Sequence, residues 1–371
     1  MSAVVQSRAA LFLRERLAVF DPALLAIIGA LAIIGLLTLY SAGADYPWRF
    51  TDQMRNFAIA ALVMFVFANI SPATLMKFAL PAYLTGVALL LGVEFFGTTV
   101  KGATRWLNLG VITIQPSEIM RLALPMMLAW YFHKREAQIR TLDFIVAAAL
   151  VAIPVLLIAH QPDLGTALLV LAAGAFVIFF AGLPWKWLVT LVVAGLAFLP
   201  LAWTLMHDYQ RQRVLTLIDP SQDPLGKGFH TLQAMIAIGS GGVFGKGWMQ
   251  GTQTHLEFIP ERTSDFIFAV FSEEFGLVGN LVLIGLFFAL VLRALSIGLG
   301  AATLFGRLMA GAIALIIFTY CFVNMGMVSG ILPVVGVPLP FISYGGTALV
   351  TLGMACGMLM SIHRHRKLVQ T

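Results

Sequence analysis

The segment FIPERTSDFIF, residues 258–268, sets Glu261, Arg262 and Asp265 within five positions, directly before a long apolar run. Glu257 belongs to the same entrance, and Glu273 and Glu274 follow two helical turns later. Several carboxylates beside cations at a lipid–water boundary fit general-base chemistry. A plainer reading stands next to it. Thr263, Ser264 and Asp265 are all good N-cap residues, and a helix begins there.

Other charges fall at comparable boundaries. KGATRWLNLG, residues 101–110, sets Lys101 and Arg105 beside Trp106. A lone Trp anchors a helix at the interface, whereas two neighbouring cations suit an anionic headgroup or a pyrophosphate. QPSEIMRLALP, residues 115–125, carries Glu118 and Arg121 three apart, the spacing of an ion pair on one helix face. Ionisable residues at membrane depth also serve binding sites. Asp163, in HQPDLGT, fits a helix cap and a site equally. Arg211 and Arg213, in HDYQRQRVLTLIDP, fit a solvated charge run or contacts to lipid phosphates.

GSGGVFGKGWMQG, residues 239–251, invites a nucleotide-loop reading and fails it. A Walker loop ending at Gly245-Lys246 needs glycine where Ser240 stands, and Ser or Thr where Gly247 stands. The dinucleotide pattern fails at Phe244. A compact loop with positive φ remains, or backbone N–H groups that hold a phosphate together with Lys246. Cys321 and Cys356 sit in apolar runs, with neither disulfide nor metal spacing.

The elements that must position these residues are membrane helices. The chain has 371 residues, is 60% hydrophobic and 11% charged, and has a mean hydropathy of +0.93. Soluble domains sit nearer 45–50% apolar. Apolar runs predict ten spans, centred near 22–40, 54–70, 74–95, 115–132, 144–160, 164–182, 187–206, 266–292, 305–328 and 343–362. The expected fold is an all-α integral membrane protein: one polytopic domain over 1–371, with a large extracytoplasmic loop over 207–264 between helices seven and eight. Within that loop FHTLQAMIAIGS has helical spacing of Phe229, Leu232, Met235 and Ile236 and predicts a short interfacial helix. With both termini cytoplasmic, thirteen of the twenty-three Lys and Arg residues fall on the inside, as the positive-inside rule favours. The net charge of +6 reflects this topology rather than a nucleic-acid partner. The first run is too long for a signal-peptide core.

KGATRWLNLG, QPSEIMRLALP, QPDLGTALL, IGSGGVFGKGWMQGTQ, LEFIPERTSDFIFAVFSEEFGLVG and GILPVVGVPLPFISYGGTALV resemble, in order, the motifs of the SEDS family (shape, elongation, division and sporulation). HDYQRQRVLTLIDPSQDPLGKGFH and the short termini resemble the elongation branch more than the division branch. Ser264 stands where Thr is usual. The resemblance implies a peptidoglycan glycosyltransferase in the bacterial inner membrane, with its active site facing the periplasm. It would polymerise lipid II into nascent β-1,4-linked glycan within the elongation machinery, among membrane lipids. It also implies Asp265 as the catalytic aspartate, Trp106 as a functionally sensitive tryptophan, and a class B penicillin-binding transpeptidase as partner.

Inversion at the donor sugar fits a single displacement, with Asp265 taking the proton of the acceptor hydroxyl. Lys101, Arg105, Arg211, Arg213 and Arg262, or a divalent magnesium or manganese ion, would steady the departing pyrophosphate; no cofactor is certain. Contacts to substrate are expected among these and Trp106, Glu118, Asp163, Lys246, Glu257 and Glu261. A lipid flippase, a division-type polymerase and a non-catalytic scaffold are the rival readings. A transporter would gather its charges at the membrane midplane in broken helices.

Overall fold

The structure is a computed structural model and describes residues 19–100, 103–108, 110, 113–206, 211, 214–217, 227–255 and 261–366. Lys101, Arg213 and Glu257 lie outside the described residues. The described helices are α1 (Pro22–Ala42), α2 (Pro47–Ala68), α3 (Pro72–Phe96), α4 (Pro116–Lys134), α5 (Thr141–His160), α6 (Leu164–Phe180), α7 (Trp185–Leu205), α8 (Lys227–Ser240), α9 (Thr252–His255), α10 (Ile267–Leu299), α11 (Leu304–Val328) and α12 (Gly346–Arg364). Each of the ten expected spans coincides with a long helix. Six of these, α1, α3, α5, α10, α11 and α12, are long and apolar enough to cross a membrane.

One expectation is corrected. The chain is not purely helical, because the segment between α3 and α4 forms three short strands, β1 (Thr98–Val100), β2 (Ala103–Asn108) and β3 (Thr113–Ile114). They make an antiparallel ribbon in the order β1-β2-β3, with Trp106 opposite Thr98 and Leu107 opposite Ile114. Thr98, Thr99, Thr104 and Trp106 are β-favouring residues, and pairing satisfies backbone groups that a loop would leave to water.

Helix starts are written locally. Proline occupies the first turn of α1, α2, α3 and α4, where its missing N–H costs nothing. Asp21, Ser71, Asp163 and Thr303 accept N-cap hydrogen bonds at α1, α3, α6 and α11. Glycines let helices approach closely, as small residues do between membrane helices. On α12, a Cβ at Gly353 would lie 2.5 Å from the Ala60 carbonyl oxygen, and one at Gly357 would lie 2.5 Å from that of Met64, both on α2.

Two local features carry the site. α10 breaks at Gly276 (φ 64, ψ −160). The glycine-rich loop after α8 fills the break: Lys246 and Gly247 N–H donate to the carbonyls of Glu273 and Glu274, and Leu277 and Val278 N–H donate to those of Gly242 and Val243, all at 3.0 Å. A broken helix at membrane depth needs such replacements. A Cβ at Gly245 would lie 2.1 Å from the Glu274 carbonyl oxygen, so the loop can dock only as glycine. In α8, the buried stripe is Thr231, Ala234 and Ala237, while Leu232 and Ile236 are exposed. Small residues give α8 its close packing, and the apolar face expected from spacing points outward.

Candidate functional site

Asp265 is half-buried in the turn 261–266 that opens α10. Backbone contacts hold this turn from several elements. Asn324, fully buried on α11, donates from Nδ2 to the Asp265 carbonyl at 2.9 Å and to the Val337 carbonyl at 2.6 Å. Ser343 Oγ donates to the Ser264 carbonyl at 2.7 Å and accepts from Leu339 N at 2.7 Å. Tyr344 N donates to the Thr263 carbonyl at 2.9 Å. Gln53 on α2 secures this brace through the Ser343 carbonyl at 3.1 Å. The proline-rich stretch between α11 and α12 is therefore a cradle for the Asp265 backbone.

The carboxylate itself faces that stretch. A Cβ at Gly336, where φ is +80, would lie 3.3 Å from Asp265 Oδ2. Glycine there relieves backbone strain and leaves the oxygen uncrowded. The preceding residue, Val335, packs on Gly165 at the start of α6, where a Cβ would come within 2.1 Å of it. Asp163 lies two residues before Gly165. Its Oδ1 accepts from Thr166 N at 3.2 Å, and its Oδ2 stands 3.4 Å from Arg105 Nη1. Asp163 is thus both a cap and the partner of a ribbon cation. Residues 335–336 link that pair to Asp265.

Glu118 and Arg121 form a buried pair at 2.5 Å on α4, and Arg121 stacks 4.9 Å over the Tyr320 ring of α11. Val335 and Val337 pack against a cluster containing Tyr320, Leu169 and Ala173, so this pair backs the same segment. Trp106 is half-buried on β2, one residue from Arg105.

Other expected site residues are engaged elsewhere. Arg262 is buried and braces the turn through Nε to the Ala42 carbonyl at 2.8 Å, Nη1 to the Thr254 carbonyl at 2.7 Å, and Nη2 to Asp45. Lys246 Nζ binds Glu273 Oε1 at 2.7 Å. Glu273 also accepts from Gln253 N at 3.0 Å and from Thr254 Oγ1 at 3.1 Å, which makes it the anchor of the glycine-rich loop. Arg211 donates to the Trp203 and Thr204 carbonyls at 3.0 and 2.8 Å, an end of α7 that such a cation suits. Glu261 is exposed and accepts from Ser264 Oγ at 3.0 Å. Among the described residues no three His, Cys, Asp or Glu side chains stand together to hold a metal, and both cysteines are buried and unbridged.

Arg49, on α2, belongs to none of the motifs singled out in the sequence. It donates to Thr263 Oγ1 and lies 4.7 Å over the Tyr46 ring and 5.7 Å from that of Tyr344. That puts a second guanidinium on the Asp265 turn. Asn324, Gln53, Ser343 and Gly336 also go unflagged by spacing. Their one sequence signal is the density of Pro and Gly over 333–346, which marks shaped backbone.

Residues 16–368 match the family model described as cell cycle protein, FtsW/RodA/SpoVE. The chain is 49% identical to the peptidoglycan glycosyltransferase MrdB of Escherichia coli K12, over 94% of this chain and 95% of that protein. It is 34% identical to stage V sporulation protein E of Bacillus subtilis, over 94% and 98%. Among solved structures, a chain from a study of how a peptidoglycan synthase complex coordinates polymerization and crosslinking superposes with a TM-score of 0.82 at 32% identity, covering 94% of this chain and 99% of that one. The rod shape determining protein RodA of Thermus thermophilus superposes with a TM-score of 0.71 at 30% identity, covering 94% and 97%.

Proposed function

This chain belongs to the FtsW/RodA/SpoVE cell cycle protein family and is a RodA-type peptidoglycan glycosyltransferase; from that premise we propose that it polymerises lipid II with Asp265 as the general base. The observation that carries the proposal is the built position of that carboxylate. Asn324 clamps its carbonyl, Ser343 clamps the preceding Ser264 carbonyl, and Gly336 puts no side chain against its Oδ2. A base must be held within hydrogen-bond reach of the proton it takes, and this frame supplies a fixed location at a helix entrance.

In the proposed reaction, Asp265 accepts the proton of the acceptor GlcNAc 4-hydroxyl as that oxygen attacks C1 of the donor MurNAc. The C1–pyrophosphate bond breaks with inversion, and undecaprenyl pyrophosphate leaves with the bonding electrons. Negative charge grows on the leaving group, so cations aimed there lower the barrier. Arg105, placed beside Asp163, and Arg49, on the Asp265 turn, take that role. Arg262 and Lys246 act on the frame instead, since their donors brace the turn and the glycine-rich loop. Glu118, Arg121 and Asp163 support residues 335–337 from behind.

We read ten crossings of the bacterial inner membrane, both termini cytoplasmic, and the Asp265 turn and glycine-rich loop on the periplasmic side. The polyprenyl chain then stays in the bilayer while the sugars meet Asp265 at its surface. A class B penicillin-binding transpeptidase is the partner this reading supplies with glycan. The test is purified full-length protein with fluorescent lipid II, with and without that partner, resolved on a gel. Polymer supports the reading. Lipid movement across vesicles without polymer would favour a flippase, and neither would favour a scaffold.

A further inference from the structure

The end of α10 opposite Asp265 carries a second charged cavity. α10 has 33 residues, about 50 Å of helix, so this cavity and the proposed active site lie at opposite ends of the bundle. It encloses about 340 Å³ between the C-terminal ends of α10 and α12, and Arg293, His363 and Arg366 line it. Among the described residues, one buried carboxylate, Asp21, faces Arg293 and His363. Asp21 binds Arg293 through both oxygens and lies 3.3 Å from His363 Nε2. One carboxylate is shared by Arg293 and His363, and Arg366 adds a further exposed cation on the rim. Ser296, Ile297, Gly300 and Leu299, which is 85% exposed, complete the wall.

We propose that this cavity binds the phosphate of an anionic phospholipid, in the membrane leaflet opposite Asp265. Arg293 lies six residues before the end of α10, about 9 Å inside it, near one end of a helix long and apolar enough to cross a membrane. Asp21 occupies the Nε–Nη2 edge of Arg293, so the exposed Arg366 guanidinium is the fork that matches phosphate oxygens. The exposed leucine beside it suits the glycerol and acyl portion of a lipid better than a free ion. Basic pockets between helices at a cytoplasmic face take anionic headgroups. A headgroup bound here would rest against the ends of α10 and α12, whose Arg293 and His363 Asp21 ties to the start of α1. The cavity stands on its own geometry; only the name of its leaflet rests on the glycosyltransferase reading.

The test uses full-length protein exposed to vesicles of dioleoylphosphatidylglycerol or of dioleoylphosphatidylcholine, then native mass spectrometry of retained lipid. The wild type is expected to keep phosphatidylglycerol and not phosphatidylcholine. Arg366→Glu should lower retention by about thirtyfold, since reversing one surface cation changes its attraction to an anionic lipid twice over. Arg364→Glu, the same charge change at an exposed neighbour outside the cavity, should lose clearly less lipid than Arg366→Glu. If Arg366→Glu lowers the Tm, Arg366→Gln reads the same loss at about fivefold. Equal losses in Arg364→Glu and Arg366→Glu would mean diffuse attraction and overturn the site. So would retention unchanged in Arg366→Glu, or displacement of the lipid by an equal concentration of inorganic phosphate, which would assign the cavity to a free anion.

Discussion

Replacing Asn324 by aspartate exchanges a donor for an acceptor with almost no change of volume. The wild-type amide donates to the carbonyls of Asp265 and Val337 at 2.9 and 2.6 Å, and the side chain is fully buried. Each lost bond costs about 1 kcal/mol net, and an unsatisfied buried carbonyl adds to that. The whole change is therefore about 2–3 kcal/mol, concentrated on the two segments that frame the Asp265 carboxylate. If it falls on the arrangement needed for proton transfer, each 1.36 kcal/mol costs tenfold in rate. The expected loss is about 30- to 150-fold in glycan polymerisation, with the lipid II concentration dependence little altered. The assay is gel-resolved polymer from fluorescent lipid II and purified protein, paired with a Tm to show the variant folded. Asn324→Gln, which keeps the donor, should recover part of the rate. A folded Asn324→Asp protein within about threefold of wild type would refute the claim that this brace positions the base.

Gly336→Ala should also slow polymerisation. The alanine must adopt φ +80 at about 1–2 kcal/mol, and its Cβ lands 3.3 Å from Asp265 Oδ2; about tenfold or more in rate is expected from the same gel assay. Gly245→Ala should destabilise the fold by about 3 kcal/mol or more, because the new Cβ meets the Glu274 carbonyl oxygen at 2.1 Å, and a thermal melt will read it. At Asp21, burial by itself would raise the carboxyl, but the Arg293 guanidinium, the Leu24 N–H and His363 hold it below its ordinary value. A depressed carboxyl contributes stability that is full above about pH 4 and is lost as the pH falls further. Asp21→Asn should flatten that acid limb and cost about 2 kcal/mol near neutrality. This is less than a fully buried pair loses, because the Arg293 side chain is 32% exposed; Tm against pH checks both.

Period and punctuation in the chain predicted the ten long helices, since long apolar runs and Pro or cap residues mark their ends. The ribbon over 98–114 escaped because its strands are two to six residues long and lie among cations that read as a loop. Asp265 was visible because three charges before an apolar run are rare in so uncharged a chain. The groups that hold it were not. Asn324 sits inside an apolar helix and bonds to residues 59 and 13 positions away, a contact that only folding creates. Arg262 makes the same point: beside Asp265 in sequence, its guanidinium bonds to Ala42, Asp45 and Thr254, partners that spacing does not reveal. Arg49, remote in sequence, comes to the turn instead. Glycine spacing over 239–251 gave a compact loop, but not its seat in the break at Gly276.

The central claim is a proton-accepting carboxylate at position 265, and Asp265→Asn tests it most directly. The substitution preserves shape and removes the base, so purified variant protein should keep the wild-type Tm and bind the proposed transpeptidase partner as the wild type does, while forming no detectable polymer from labelled lipid II. Polymer of ordinary length at a rate near wild type, from the same folded variant, would contradict the account.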